Sequence, residues 1–253
     1  LLQQPRACDG NGDQQGDRLQ DTDLIGDPHD DRQLDQWDND EQQEEDRKHV
    51  LSIRYLIYEL SMPVTTTLLE LGFDEAMAAV DGGAVFVDLR PSRDYLDVHI
   101  PGSLGLMYEF GPGMAARARD CVALDVSLIL LDDEASDCIH AAASLRGKGF
   151  EVLGKVTDAI NKWAEARSVK STEVLTGDDS PDATILDVGD PGAKQHGDSV
   201  RVPLERLWRQ APDLARESPI AVIAGFGVRA ALAVGILEHA GSADVLVWMR
   251  RRG

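Results

Sequence analysis

The sequence predicts an α/β protein of two similar halves, each a mostly parallel sheet flanked by helices, behind a disordered acidic N-terminal tail. Three observations predict it. Short continuous apolar runs alternate with segments of helical period, the pattern of strands covered on both faces. The runs repeat, so that FVDLR around Asp88 matches ILDVG around Asp187, 99 residues on. Half of the net charge of −20 sits in the first 61 residues, which carry 16 acidic and 6 basic side chains.

The elements follow in chain order. From Gln3 to His49 the chain is mostly Asp, Gln and Gly, with no period of 2 or 3.6. Such a segment cannot bury enough surface to offset the entropy of ordering, and residues 1–61 are read as disordered. Leu51–Leu60 (LSIRYLIYEL) is the exception, able to form a short strand or an amphipathic turn. The chain opens on Leu1 and its first methionine is Met62, where the globular pattern starts. Two readings stay open: an upstream extension outside the natural protein, or a genuine acidic tail. Intact mass of the protein from its native source separates them.

Residues 62–168 make the first domain. Ala84–Asp88 (AVFVD) and Ser127–Leu131 (SLILL) read as strands, Ser136–Lys148 and Asp158–Arg167 as helices. Residues 169–182 are polar, contain Gly and Pro, and read as a linker. Residues 183–253 make the second domain: strands Thr184–Val188, Ile220–Ala224 and Asp244–Trp248, and helices Leu204–Leu214 and Val228–Ala240. Leu145 and Leu237, like Gly149 and Gly241, stand 92 residues apart, so the simplest account is two copies of one domain. The second copy is shortened at its C-terminus: MRRRG follows Trp248, where the first copy has TDAINKW, Thr157–Trp163.

Composition excludes several functions. A chain this acidic repels phosphate backbones, which argues against general nucleic-acid binding. No run approaches the ~18 apolar residues of a membrane span, and no secretory signal is recognisable. Cys8, Cys121 and Cys138 are odd in number and far apart, which favours a reducing, cytoplasmic setting over a disulfide framework. The six histidines show neither His-x-His nor Cys-x-x-Cys spacing, so no metal is expected. No Walker loop or dinucleotide fingerprint occurs, so no cofactor is expected either.

One motif is dense. DLRPSRDYLDVHIPGS, Asp88–Ser103, resembles the first signature of the rhodanese family: Asp-x-Arg, four residues, Tyr or Phe, three residues, then His-Ile-Pro-Gly and a small residue. Asp88, Arg90, Tyr95, His99, Ile100, Pro101, Gly102 and Ser103 all match. The resemblance implies architectural roles: an Asp–Arg pair at a strand end, a tight turn into the next strand, and a hydrogen-bonded structural histidine at 99. It extends from about Thr67 to Val247, implying a tandem rhodanese fold. In the second half the signature is eroded, with Gly189 for the Arg and HGDS, His196–Ser199, for the turn.

Rhodaneses carry sulfane sulfur as a persulfide on one cysteine, which opens a Cys-x-x-Gly-x-Arg loop between strand and helix. Inward N–H groups and the helix dipole stabilise thiolate and persulfide. Laid on the second half, that loop is Ala224, Gly225, Phe226, Gly227, Val228 and Arg229, with alanine where the cysteine belongs. In the first half it runs from Asp132 to Asp137, with aspartate at the cysteine position. Helix capping is the plain account of Asp132 and its acidic neighbours. Gly225, Phe226, Gly227, Val228 and Arg229 form a candidate anion-binding loop, the alternative being a vestigial turn with a solvated Arg229.

The resemblance thus implies a catalytically inactive tandem module, binding a sulfur-containing anion or a protein partner and linked to sulfur metabolism. The alternative is a sulfurtransferase moving sulfane sulfur from thiosulfate or a persulfide to a thiol or cyanide acceptor. It would use Cys138, on the opening turn of a helix, or an active partner subunit. Acidic neighbours at 132, 133, 134 and 137 oppose a low thiol pKa there.

Overall fold

A computed structural model of the chain describes residues 68–108, 113–132, 137–189, 195–217, 219–224 and 227–249. The acidic tail and Leu51–Leu60 lie outside the described residues, as do Gly225, Phe226 and Arg250–Gly253.

The first sheet has four parallel strands: β1 (Val85–Asp88), β2 (Leu104–Gly105), β3 (Leu128–Asp132) and β4 (Val152–Thr157), in the order β2-β1-β3-β4. Among the described residues five helices accompany it: α1 (Phe73–Asp81), α2 (Ser92–Asp97), α3 (Gly113–Cys121), α4 (Cys138–Gly147) and α5 (Ala159–Ala166). One face packs Phe86, Ile129, Leu131 and Val156 against Ala76 of α1 and Ala159 and Trp163 of α5. The other face, with Val85, Val87, Leu128 and Leu130, joins the larger core. The helix read over Asp158–Arg167 therefore forms, and the reason it buries is the aromatic ring of Trp163.

The second sheet is also wholly parallel. It contains β5 (Val174–Thr176), β6 (Thr184–Asp187), β7 (Val200–Arg201), β8 (Ile220–Ile223) and β9 (Val245–Met249), in the order β5-β9-β8-β6-β7. Strand β5 lies inside the stretch read as linker. Its register, Val174 to Val247 and Leu175 to Trp248, closes the free edge of β9. Turn-forming residues around it hide a three-residue strand too short to carry a period of its own.

Two helices serve this sheet, α6 (Leu204–Leu214) and α7 (Val228–His239). Helix α6 buries Leu204, Leu207 and Ala211 and keeps the charged side chains of Glu205, Arg206 and Arg209 outside. Helix α7 is different, with every residue from Ala230 to Leu237 buried. It is apolar all round because it is packed all round. Leu232, Ala233, Ile236 and Leu237 join the core that contains residues of both sheets, while Ala230, Ala231 and Val234 meet Tyr95 and Leu96 of α2.

Contact between the halves is close enough to require glycine. A Cβ on Gly235 of α7 would lie 2.3 Å from the Ser103 carbonyl oxygen and 3.0 Å from Leu104 Cα. One on Gly105 of β2 would lie 2.9 Å from Ala231 Cβ. Among the described residues, no helix is long and apolar enough to cross a membrane.

Candidate functional site

The signature residues of the first half hold the carboxyl end of β1. Asp88 is its last residue and 0% exposed. Its carboxylate accepts from Arg90 N and Nε, each at 3.0 Å, and from Nη2 at 2.7 Å. Arg90 Nη2 also donates to the Val98 carbonyl at 2.6 Å, tying the end of α2 to the strand. Tyr95 donates its hydroxyl to the Ser103 carbonyl at 2.7 Å, and its ring stacks on His99 at 4.4 Å. Gly102 takes φ +76, the left-handed conformation that the turn after Pro101 requires.

His99 is 0% exposed and faces outside its own half. Its Nδ1 is 2.9 Å from the Tyr95 carbonyl, and its Nε2 is 3.1 Å from Oε2 of Glu238 on α7. Glu238 also accepts from Gly102 N at 3.1 Å and from Lys170 Nζ at 3.2 Å. Desolvation pushes the Glu238 carboxyl up, but hydrogen bonds and charge from His99, with Gly102 and Lys170, outweigh it and hold it below the usual 4.5. A depressed carboxyl contributes stability that is present above its unfolded value and lost as pH falls through its folded value. Glu238→Gln is therefore expected to flatten the loss of stability below pH ~4.5. Urea midpoints for both proteins between pH 3 and 6 check this, and parallel curves would refute it.

At the carboxyl end of the second sheet, β8 runs into Ala224 and α7 starts at Val228. Ala224 is partly buried, its methyl group packed against both the main core and the Tyr95 cluster. Gly227 precedes the helix with φ +136, a conformation open to glycine. Arg229 points back rather than outward: Nη2 donates to the Val188 carbonyl at 2.7 Å and Nη1 lies 3.4 Å from Glu205 Oε1. The guanidinium thus braces the end of β6, and a solvated Arg229 is not what forms.

Asp187 ends β6 as Asp88 ends β1, with Gly189 where the first half has Arg90. It accepts from Gly189 N at 2.9 Å and pairs with Nδ1 of His196 at 3.2 Å. Burial raises its carboxyl, and the Gly189 N–H and His196 together bring it below the ordinary aspartate range. The HGDS turn thus supplies, through a half-exposed imidazole, the partner that Gly189 cannot.

Asp132 ends β3, and the cap of α4 is supplied by Asp137 instead, whose side chain accepts from His140 N at 3.1 Å and pairs with the His140 ring. An N-cap must lie directly before the first turn to reach its free N–H groups, and Asp132, the last residue of β3, stands too far back along the chain to do so. Cys138 follows the cap but turns inward. It is 4% exposed, and its thiol lies 3.7 Å from the Leu131 carbonyl oxygen. His140, two residues on, is engaged by Asp137. Cys121, at the end of α3, is buried as well, and desolvation with the Glu205 charge pushes its thiol up to about 12.

These placements predict inert thiols. At pH 8 a thiol with a pKa near 12 is ionised in roughly one molecule in ten thousand. Iodoacetamide followed by peptide mapping should label neither Cys121 nor Cys138 in the native chain and both after unfolding. Native labelling of Cys138 would contradict its burial.

The structure thus gathers Asp88, Arg90, Tyr95, His99 and Gly102 into one turn. His99 and Gly102 of that set meet Glu238 near the end of α7, whereas Gly227 and Arg229 stand at its start; Ala224 packs against the cluster that contains Tyr95. Sequence reasoning missed Glu238, Lys170 and Gly235; the acid at the end of the apolar VGILEHAG segment was the available signal. Among the described residues, no group of three or more His, Cys, Asp or Glu is placed to hold a metal.

Comparison with known proteins gives a limited result. No family model matches the chain, and no curated protein matches it. Among solved structures it is similar to a thiosulfate sulfurtransferase from Pseudomonas aeruginosa, at 16% identity and TM-score 0.32, over 71% of this chain and 40% of that one. It is also similar to wild-type EanB, at 14% identity and TM-score 0.31, over 72% of this chain and 58% of that one. The chain thus spans less than two thirds of the length of either.

Proposed function

We propose that the chain is a tandem rhodanese-type protein that has lost its sulfur-carrying thiol. It works as a binding or regulatory module in the cytoplasm, linked to sulfur metabolism. Its ligand is a sulfur-containing anion or a protein partner, met by the loop from Gly225 to Arg229. The reading rests on the residues: the uninterrupted match from Asp88 to Ser103 argues for the family, and the loop argues for the loss. Ala224, closing β8 where the carrier cysteine would stand, is the observation that carries it. A methyl group offers neither lone pair nor leaving group, so no persulfide forms there.

Burial of Cys138 in the first turn of α4 counts against the alternative carrier. An attacking thiolate needs access to its donor as well as ionisation. Arg229 engages Val188 and Glu205, and the start of α7 supplies the anion-attracting feature of the loop.

The test is thiosulfate-to-cyanide sulfur transfer by the full chain, alongside Ala224→Cys and Cys138→Ser. The natural chain and Cys138→Ser should stay at background. Ala224→Cys should gain turnover and cyanide-labile sulfur. Turnover by the natural chain that disappears in Cys138→Ser would replace this reading with a working sulfurtransferase.

A further inference from the structure

We propose that the two halves are joined by a proton-held latch, a contact between α7 and the His99–Gly102 turn that closes only with both ring nitrogens of His99 carrying hydrogen. The geometry is independent of the function proposed above. Nδ1 faces a backbone carbonyl, Tyr95 O, which can only accept. Nε2 faces Oε2 of Glu238, and that oxygen already accepts from Gly102 N, while Oε1 takes Lys170 Nζ. A carboxyl group whose two oxygens both face donors has no place for a proton of its own, so it is ionised and also only accepts. A neutral imidazole has one N–H and one lone pair. It would set that lone pair against an acceptor, inside a site from which water is excluded.

The surroundings fix the ring. Tyr95 of α2 stacks on one side, and the backbone of His99 pairs with Lys170 through both its N–H and its carbonyl at 2.9 Å. The charged groups facing the site are Glu238 from α7 and Lys170 from the segment after α5, with the Asp88–Arg90 pair behind Tyr95. Lys170 Nζ is further held by the Ala243 carbonyl at 2.8 Å, beyond the end of α7. The seam therefore gathers imidazolium, carboxylate and ammonium from three separate parts of the chain.

Long-range proton–nitrogen NMR of the full chain at pH 7.5 tests this, with His99 identified by its contacts to the Tyr95 ring. Two protonated nitrogens support the latch, and the one-proton pattern of a neutral ring overturns it.

Discussion

Arg90→Ala should destabilise the chain by about 3–5 kcal/mol, the usual result of removing one partner from a buried ion pair. The pair qualifies because Asp88 has no exposed surface and the Arg90 side chain is only 12% exposed. With the guanidinium gone, the carboxylate keeps only the Arg90 backbone N–H at 3.0 Å. The Val98 carbonyl also loses its 2.6 Å donor, freeing the end of α2 from β1. Arg90→Lys should recover a minor part, since a point ammonium cannot reproduce the forked contact with both carboxylate oxygens and Val98 together. Urea midpoints decide. A loss below ~1 kcal/mol would place Arg90 with exposed pairs of little weight.

Substituting Gly235 should cost a comparable amount for a steric reason. In an isolated helix, replacing an interior glycine with alanine gains about 1 kcal/mol. Here the added methyl group would sit 2.3 Å from the Ser103 carbonyl oxygen, so backbone must move. That oxygen is also the acceptor of the Tyr95 hydroxyl, and displacing it breaks a buried 2.7 Å hydrogen bond. Gly235→Ala should lose about 1–3 kcal/mol, the range for overpacking a filled interior, and Gly235→Leu more. Thermal unfolding of the two variants against wild type checks both sign and order. A stabilised Gly235→Ala would mean that α7 can move off β2 at no cost.

Both positions bear on how much of this molecule was legible in its sequence. Arg90 was, because Asp88, Arg90 and the turn at His99–Gly102 lie within fifteen residues and form a pattern of their own. Its interactions are local, so spacing and geometry coincide. Gly235 was not. A glycine within an apolar helix carries no mark of what approaches it, and the approaching group, Ser103, belongs to the other half of the chain.

The same division runs through the elements. The apolar runs gave the central strands to within a residue or so, Ser127–Leu131 being read where Leu128–Asp132 forms, and the helix Leu204–Leu214 was read as it stands. Strands β2 and β7, two residues each, and β5, three residues, have no length over which a period can show. They exist because a neighbouring strand offers an open edge. Asp137 took the cap expected of Asp132, because the helix began at 138 and only the residue before it can reach the first-turn N–H groups.

By itself the sequence determined the alternation of strand and helix, the repeat, the signature turn and the absence of cysteine at 132 and 224. Each is a property of residue type at short range, set by side-chain periodicity and by the chemistry a position can carry. Only the tertiary structure decided that α7 is enclosed between the halves, that Arg229 braces β6, and that Glu238 meets His99 across 139 residues of chain. Those contacts depend on where packed surfaces place two distant side chains, and composition and spacing at either end do not encode that distance.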